Sequence, residues 1–286
     1  MNEHITKILN GKGLAAKIRM ELKGKIAKSG KKPGLGVVLV GVDPASQMYV
    51  NFKTQASQEV GMVLESCEFE EDISQKKLLR VIDKLNRNKK IHGILVQLPL
   101  PAHINQYEIL EAIDPRKDVD GFHPANVGWL SIGKPYFMPA TTRGIWTLVK
   151  STPMDVRGKH VVMVGASNIV GKPTAQLFLN HGATVTICHK LTEGLAEHTK
   201  RADILITATG VANLITADMV KQGVMVIDAG ISKHKGRVVG DVDYETVFEK
   251  AAYITPVPGG VGPMTVASLL QNTWLAMCRI EGMIEK

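Results

Sequence analysis

The chain has 286 residues, enough for about two domains that each bury a hydrophobic core. Hydrophobic residues make up 44% of it and charged residues 22%, which is typical of globular proteins and excludes disordered and fibrous classes. The apolar runs are too short to cross a bilayer, and charged residues interrupt each stretch that would resemble a signal peptide. We therefore expect a cytoplasmic protein with no membrane partner.

The formal net charge of +8 favours an anionic partner. Charge alone does not distinguish a nucleic acid from a phosphate-bearing cofactor or a polycarboxylate. A nucleic-acid surface needs aromatic residues among its basic ones, and aromatic residues are only 5% of this chain, so we expect no nucleic-acid partner. The three cysteines (Cys67, Cys188 and Cys278) lie far apart, and we expect reduced core thiols rather than disulfides or a metal clamp.

Short apolar segments alternate with amphipathic segments of helical length, a pattern that predicts an α/β fold with a largely parallel sheet. In the first half the predicted elements are a helix with Leu14, Ile18, Leu22 and Ile26 on one face, a strand at 35–40, a helix at about 45–60, a strand near 62–69, a helix near 75–86 and a strand at 94–98. We expect Met48, Phe52, Ala56 and Val60 to form the buried stripe of the second helix.

The second half predicts strands at 161–164, 184–188, 204–207 and 224–227, with helices between them. This order of strand, glycine-containing turn and helix is typical of nucleotide-binding α/β domains. A last helix is predicted from about 263 to 281, after the glycine-rich segment PVPGGVGP. We expect that helix to pack against the first domain.

The first candidate binding motif is VGASNIVGKP at 164–173, directly after a predicted strand. A strict GxGxxG fingerprint would have its third glycine at position 170, where this chain has valine, so the match is imperfect. Small residues such as Gly165 still let backbone N–H groups approach a pyrophosphate at a helix N-terminus, and Ser167 adds a hydroxyl donor. A tight strand-to-helix turn without a ligand is the alternative interpretation.

A second indication of the cofactor is Lys190, which follows the next predicted strand about twenty residues later. Sites specific for NAD place an acidic residue there to bind the ribose 2′-hydroxyl, whereas a basic residue accommodates a 2′-phosphate. The sequence therefore favours NADP over NAD. The alternative is a solvated lysine at the end of a strand.

Tyr49 and Lys53 are four residues apart and share one helix face, beside the expected buried stripe. A lysine in such a position usually extends to solvent. Desolvation would instead lower its pKa and make it a proton-transfer group.

Gln97 is a polar residue near the carboxyl end of a predicted apolar strand, the edge at which open α/β sheets bind ligands. An ordinary edge-strand glutamine is the alternative. Asp118 and Asp120 in KDVDGFHP form a carboxylate pair that suits a metal or a ring rich in N–H donors, or else an ordinary capped loop. Since no further acidic or histidine cluster accompanies them, we expect no metal site.

Five motifs in one order resemble the bifunctional methylenetetrahydrofolate dehydrogenase/methenyltetrahydrofolate cyclohydrolase family: SQMYVNFK (46–53), VQLPLP (96–101), KDVDGFHP (117–124), VGASNIVGKP (164–173) and PVPGGVGPMTVASLLQNT (256–273). The resemblance covers nearly the whole chain. It implies two α/β domains separated by a cleft. One is an N-terminal catalytic and folate-binding domain at 1–120, completed by a C-terminal helix at about 263–286, and the other is a Rossmann-like NADP-binding domain at 140–262. It also implies a homodimer.

The resemblance further implies that NADP oxidises 5,10-methylenetetrahydrofolate and that the methenyl product is hydrolysed to 10-formyltetrahydrofolate. By that resemblance Lys53 transfers protons and Tyr49 packs against the folate rings, while Gln97 assists near the reacting carbon and Asp120 anchors the pterin. The implied NADP contacts are Gly165, Ala166, Ser167 and Ile231, with Thr141, Lys190 and Gly210 in addition, and the implied folate side is lined by Pro258, Gly259 and Gly260.

Two positions depart from the pattern of many family members. The segment Pro-Cys-Thr-Pro is here Pro139, Ala140, Thr141 and Thr142, which changes local packing. Ala166 stands where many members carry an arginine that would meet the 2′-phosphate, so we expect Lys190 to take that role.

Three other function classes are alternatives to the bifunctional enzyme. A dehydrogenase without hydrolytic activity would have no use for Lys53, Tyr49 and Gln97, and an NADP dehydrogenase acting on a small acid would leave the Tyr49 and Lys53 pair without a task. A basic nucleic-acid-binding protein would bind DNA or RNA with a steep salt dependence.

Overall fold

The structure, a computed structural model, describes residues 7–234 and 236–283. The first six residues of the predicted N-terminal domain and the last three of the predicted C-terminal helix lie outside the described residues.

The elements up to residue 150 are β1 (Lys7–Ile8), α1 (Gly11–Ser29), β2 (Gly34–Val40), α2 (Pro44–Glu59), β3 (Val63–Phe69), α3 (Gln75–Arg87), β4 (Gly93–Val96), α4 (Gln106–Glu111), α5 (Pro124–Ser131) and α6 (Ala140–Lys150). Those that follow are β5 (His160–Val164), α7 (Gly171–Asn180), β6 (Thr184–Cys188), α8 (Leu195–Thr199), β7 (Ile204–Thr207), a 3₁₀ turn (Ala217–Met219), β8 (Val224–Asp228), β9 (Ser232–His234), β10 (Arg237–Val239), α9 (Tyr244–Phe248), β11 (Ala251–Ile254) and α10 (Val261–Ile280).

The chain divides into two compact units, which we name by their sheets. The six-stranded unit comprises Met1–Ala15, Leu130–Gly133 and Thr141–Thr265. The three-stranded unit comprises Ala16–Trp129, Lys134–Ala140 and Val266–Lys286. The residue boundaries that we predict for the two domains stay a prediction.

In the three-stranded unit, β2 lies between β3 and β4, and both pairs are parallel. Every residue of β2 is buried, because the sheet is covered on both faces. Val38 and Val40 face one core cluster, with α3, whereas Val37 and Leu39 face the other. The second cluster contains Leu269 of α10, so from Val266 onward the last helix packs in this unit.

The expected buried stripe of α2 is wrong in its first half. Met48 and Phe52 are 43% and 52% exposed, whereas Ala56 and Val60 are buried as expected. Upstream of Ala56 the buried face instead contains Val50 and Lys53. Apolar spacing selected the wrong residues because burial of a lysine depends on an acceptor for its ammonium group elsewhere in the fold, which spacing along a helix does not show.

In the six-stranded unit the strand order is β1-β11-β8-β7-β5-β6, and all neighbouring strands run parallel. The chain passes from β5 to β6 on one side and then returns to β7 on the other side of β5. Such a reversal leaves a crevice at the carboxyl ends of the strands, where open α/β sheets bind ligands. The strands β9 and β10 form a separate antiparallel hairpin.

All three cysteines are free thiols. Cys188 and Cys278 are buried as expected, but Cys67 is only partly buried, so the expectation of a core thiol is wrong there. It lies on β3, an outer strand of its sheet. Within the described ranges, no helix has the combination of length and apolar composition that crossing a membrane requires.

Candidate active site

Three polar side chains lie where chain segments leave the carboxyl edge of the three-stranded sheet. The strand β2 leads into α2, whose N-cap Asp43 accepts a hydrogen bond from the Ser46 backbone N–H at 2.8 Å, and Lys53 lies on that helix. Gln97 lies one position beyond the end of β4, although we predicted a strand at 94–98 that includes it. Asp118 pairs in parallel with Ile94 of β4, so the chain delivers Asp120 to the same edge.

Lys53 is held by Gln97. The Lys53 ammonium donates to Oε1 of Gln97 at 3.0 Å, and Nε2 of Gln97 donates to the Leu98 carbonyl at 2.8 Å, which orients the amide. Lys53 is only 8% exposed. Burial lowers the pKa of Lys53, and the nearby charge of Asp120 opposes that shift in part.

Asp120 is buried beside the same lysine, with 9% of its surface exposed. Burial raises the pKa of Asp120 to about 6, although the charge of Lys53 acts in the opposite direction and that of Asp118 adds to the rise. Among the described residues, none donates a hydrogen bond to its carboxylate. A buried acceptor of this kind suits a ligand that presents N–H donors.

The backbone around Asp120 is fixed by side chains from distant parts of the sequence. The Asp118 carboxylate accepts from the backbone N–H groups of Gly121 and His123, at 3.1 Å and 2.8 Å. Asn272, on α10, donates to the carbonyls of Val119 and Met138 at 2.8 Å and 2.9 Å. Asn272 lies within the last of the five motifs, but nothing in the local sequence indicates this role.

Gly121 is required directly after Asp120. Its φ is +78°, and a Cβ there would lie 2.9 Å from the Cα of Pro139. Tyr49 lies one turn before Lys53 on α2 and is half-buried, and that burial raises the pKa of its phenol. The structure thus brings Lys53, Gln97 and Asp120 together, with Tyr49 on the same helix as the lysine.

In the six-stranded unit, the VGASNIVGKP motif forms the turn between β5 and α7. Gly165 has a φ of +115°, and a Cβ there would lie 2.4 Å from the Ala208 carbonyl oxygen. A Cβ on Gly171 would lie 2.0 Å from the Gly165 carbonyl oxygen, so both close approaches require glycine. Val170, at the third position of the strict fingerprint, precedes the first residue of α7.

The exposed Ser167 hydroxyl accepts from the N–H groups of Val170 and Gly171 at 3.1 Å and 3.3 Å, which leaves its own proton free to donate outward. The turn therefore offers a hydroxyl donor at a helix N-terminus, and this fits a pyrophosphate. Ala166, between Gly165 and Ser167, has no charged group with which to meet a phosphate.

Other residues assigned to NADP follow the carboxyl ends of neighbouring strands. Lys190 follows β6, Gly210 follows β7 and Ile231 follows β8, and parallel strands end at one edge of a sheet. Lys190 is exposed, and no group within the described residues pairs with its ammonium. Ile231 is 45% exposed, which leaves an apolar side chain at this edge. Thr141, on α6, accepts from the hydroxyl of Thr265 at 3.2 Å.

The three residues assigned to the folate side lie in the glycine-rich segment that follows β11. Pro258 is exposed, whereas Gly260 is buried, and a Cβ on it would lie 2.6 Å from the Pro256 carbonyl oxygen. Gly259 has a φ of +109°. Nowhere in the described part of the chain do three or more histidine, cysteine or acidic side chains converge as a metal site would require.

Two family models match the chain. The catalytic domain of tetrahydrofolate dehydrogenase/cyclohydrolase matches residues 9–120, and the NAD(P)-binding domain of the same family matches residues 139–281. These matches confirm the predicted α/β architecture with one catalytic and one dinucleotide-binding domain.

Curated relatives and solved structures are similar over almost the full chain. The bifunctional protein FolD of Nautilia profundicola is 56% identical over 93% of this chain and 95% of its own length, and that of Bacillus anthracis is 52% identical over 93% and 94%. The crystal structure of the bifunctional FolD methylenetetrahydrofolate dehydrogenase/cyclohydrolase of Campylobacter jejuni aligns with a TM-score of 0.94 and 49% identity, covering 96% of this chain and all of that one. The FolD of Trypanosoma brucei, in complex with NADP and an inhibitor, aligns with a TM-score of 0.93 and 37% identity, covering 96% and 98%.

Proposed function

The chain belongs to the tetrahydrofolate dehydrogenase/cyclohydrolase family, and we propose that Lys53, Gln97, Asp120 and Tyr49 act on its folate substrate. It is a bifunctional enzyme of one-carbon metabolism. With NADP it oxidises 5,10-methylenetetrahydrofolate to the 5,10-methenyl cation, which it hydrolyses to 10-formyltetrahydrofolate. The observation that carries the proposal for the site is the buried Lys53 ammonium, which donates to Gln97 and lies near the Asp120 carboxylate, an acceptor to which no described residue donates a hydrogen bond.

For the hydrolytic step, the chain needs to position a water molecule and move protons, because the methenyl carbon is already electrophilic. Lys53 in its neutral form takes a proton from the water as the oxygen bonds to that carbon. It returns that proton to the ring nitrogen as the carbon–nitrogen bond breaks, and the remaining hydroxyl proton leaves to solvent as the carbonyl of the formyl group forms. The lowered pKa of Lys53 increases the neutral fraction that is able to act as a base.

Gln97 orients the lysine, and Asp120 binds the pterin of the substrate. Gln97 Oε1 keeps the lysine in one orientation, since its own amide is tied to Leu98. The Asp120 carboxylate accepts from the N–H donors of the pterin, and a charged acceptor strengthens such bonds. Tyr49, one turn before Lys53 on α2, packs its ring against the folate rings. This role explains why its aromatic side chain is only half-buried in the protein alone.

For the oxidative step, NADP supplies the hydride acceptor, and the chain binds and orients it. The Ser167 hydroxyl would donate a hydrogen bond to the pyrophosphate at the start of α7. Lys190 would pair with the 2′-phosphate, a role that suits an exposed ammonium group with which no group among the described residues pairs. Ile231 would offer its exposed apolar side chain to the nicotinamide ring.

Family membership also supports a homodimer, which sedimentation of the purified protein tests. The three free cysteines support a cytoplasmic location, because disulfides are rare in that compartment. Thr141, Gly165, Ala166, Gly210, Pro258, Gly259 and Gly260 complete the proposed binding residues.

The direct test is an absorbance assay of the purified protein. One reaction contains 5,10-methylenetetrahydrofolate with NADP or with NAD, and another contains methenyltetrahydrofolate alone. We expect reduction of NADP and accelerated decay of the methenyl compound. Reduction without accelerated decay would contradict the role proposed for Lys53, and a folded protein inactive in both reactions would contradict the folate function itself.

A further inference from the structure

Two aspartates that have no part in the reactions above are buried in the six-stranded unit. Asp228 is the last residue of β8, and Asp241 lies just after β10. Both are almost inaccessible to solvent. Burial of two carboxyl groups is unfavourable unless donors surround them, so their partners indicate what they do.

Asp228 connects three segments. Its Oδ1 accepts from the Thr207 hydroxyl at 3.0 Å and from the backbone N–H groups of Gly230 and Asp241 at 2.9 Å and 3.1 Å. Its Oδ2 accepts from the Val242 N–H at 3.0 Å. The Gly230 bond fixes the backbone immediately before Ile231.

Asp241 fixes the loop that follows β7. Its Oδ2 accepts from the Thr209 N–H at 2.6 Å, immediately before Gly210. Its other oxygen is buried and has no partner within the described residues. The bond to Thr209 is therefore the contact through which this side chain acts on the neighbouring loop.

Two glycines leave room for these carboxylates. A Cβ on Gly230 would lie 2.0 Å from Oδ1 of Asp241, and a Cβ on Gly240 would lie 1.9 Å from Oδ2 of Asp228. The two aspartates and two glycines thus form one packed arrangement beneath the loops that follow β7 and β8, which carry Gly210 and Ile231.

We propose that Asp228 and Asp241 are positioning residues for hydride transfer, which hold the loops after β7 and β8 in the conformation that aligns the nicotinamide ring. The proposal rests on the function proposed above, in which Gly210 and Ile231 contact NADP. In that function the phosphate groups of NADP are bound by other residues, Ser167 and Lys190. Loss of the pair should therefore reduce the rate of hydride transfer more than the binding of NADP.

The experiment compares Asp241→Ala and Asp241→Asn with the wild type in both reactions. We expect Asp241→Ala to lower the dehydrogenase kcat about tenfold or more, since small misplacements of reacting groups have large effects on rate. The KM for NADP and the methenyl hydrolysis rate should each change less than about threefold, a shift equivalent to under ~1 kcal/mol. Asp241→Asn keeps an oxygen that accepts from Thr209 and should restore most of the kcat.

Asp203→Asn is the matched control. Asp203 also accepts from a backbone N–H, that of His160 at 2.8 Å, and from Lys221 at 2.6 Å, but at the amino edge of the same sheet. It should leave both reactions unchanged. A thermal unfolding curve for each variant separates loss of folding from loss of alignment.

The possible results distinguish this proposal from the function on which it rests. Wild-type dehydrogenase kinetics in folded Asp241→Ala and Asp228→Asn variants would overturn the positioning role while the folate function stands. Equal losses of both reactions, in parallel with a lower Tm, would also overturn it in favour of a structural role. Absence of NADP-dependent oxidation in the wild type would instead remove the proposed function.

Discussion

Replacement of Lys53 by methionine tests the proposed proton transfer most directly. Methionine keeps the length and apolar body of the side chain, so it fills the buried space on α2 while removing the ammonium. Gln97 then loses the donor at 3.0 Å from its Oε1, and Asp120 loses the positive charge that opposes the rise of its pKa.

The expected loss follows from both contacts. Proton transfer by a positioned side chain contributes roughly 10²–10⁴-fold to rate, so methenyl hydrolysis should fall at least about 100-fold in Lys53→Met. The pKa of Asp120, about 6 beside Lys53, should rise further. More of its carboxyl is then protonated at neutral pH, which weakens its bonds to pterin N–H donors and raises the KM for the folate in both reactions.

The measurement is the decay of methenyl absorbance with enzyme and variant at equal concentration, after a thermal unfolding curve has established that the variant is folded. Lys76→Met, the same chemical change on the exposed face of α3, is the control and should hydrolyse at the wild-type rate. In the wild type, hydrolysis should decrease as the pH falls through the lowered pKa of Lys53, because the neutral base is lost. Hydrolysis by folded Lys53→Met at the wild-type rate would refute the assignment.

Three further changes have defined outcomes. Lys190→Ala should raise the KM for NADP about tenfold or more while the KM for NAD stays nearly constant, and an equal rise for both would contradict the 2′-phosphate contact. Burial raises the pKa of Asp228 from 3.8 to about 6, so the folded chain holds this proton more tightly than the unfolded chain does. The stability that the proton contributes is therefore fully present below pH 3.8 and is lost as the pH rises through about 6. Relative to Asp228→Asn, the wild type should therefore lose unfolding free energy in urea titrations between these pH values, and a constant difference would refute that shift. Gly240→Ala should destabilise the chain by about 1–3 kcal/mol in the same titrations. The control Gly24→Ala, with nothing within 4 Å of the added methyl on α1, should stabilise it by about 0.5–1 kcal/mol.

The positions of the proposed binding residues along the chain follow from local sequence. The strands Thr184–Cys188 and Ile204–Thr207 begin and end where the apolar runs predict, since a short run bounded by turn residues is a local property. Because parallel strands end at one edge, Lys190 and Gly210 are then assigned to the same end of the sheet from sequence alone.

The buried face of α2 shows where local pattern is insufficient. Met48 and Phe52 are the more apolar residues, yet Lys53 is the one that is buried. The difference arises because Gln97, on another segment, supplies the acceptor, and such compensation for desolvation depends on the fold rather than on helical spacing.

The sequence by itself determined the α/β class, several of the strands and the motifs that follow them, and it indicated the polar residues that we propose to act at each sheet. Only the tertiary structure decided how those residues are held: Asn272 on the backbone beside Asp120, and Asp228 and Asp241 beneath the loops that carry Gly210 and Ile231. The physical reason is that periodicity in the sequence shows which face of a helix or strand is apolar, but not which distant residue that face contacts. Hydrogen-bond partners and burial join residues that are distant in the chain, and these contacts set the pKa of Lys53 and Asp120.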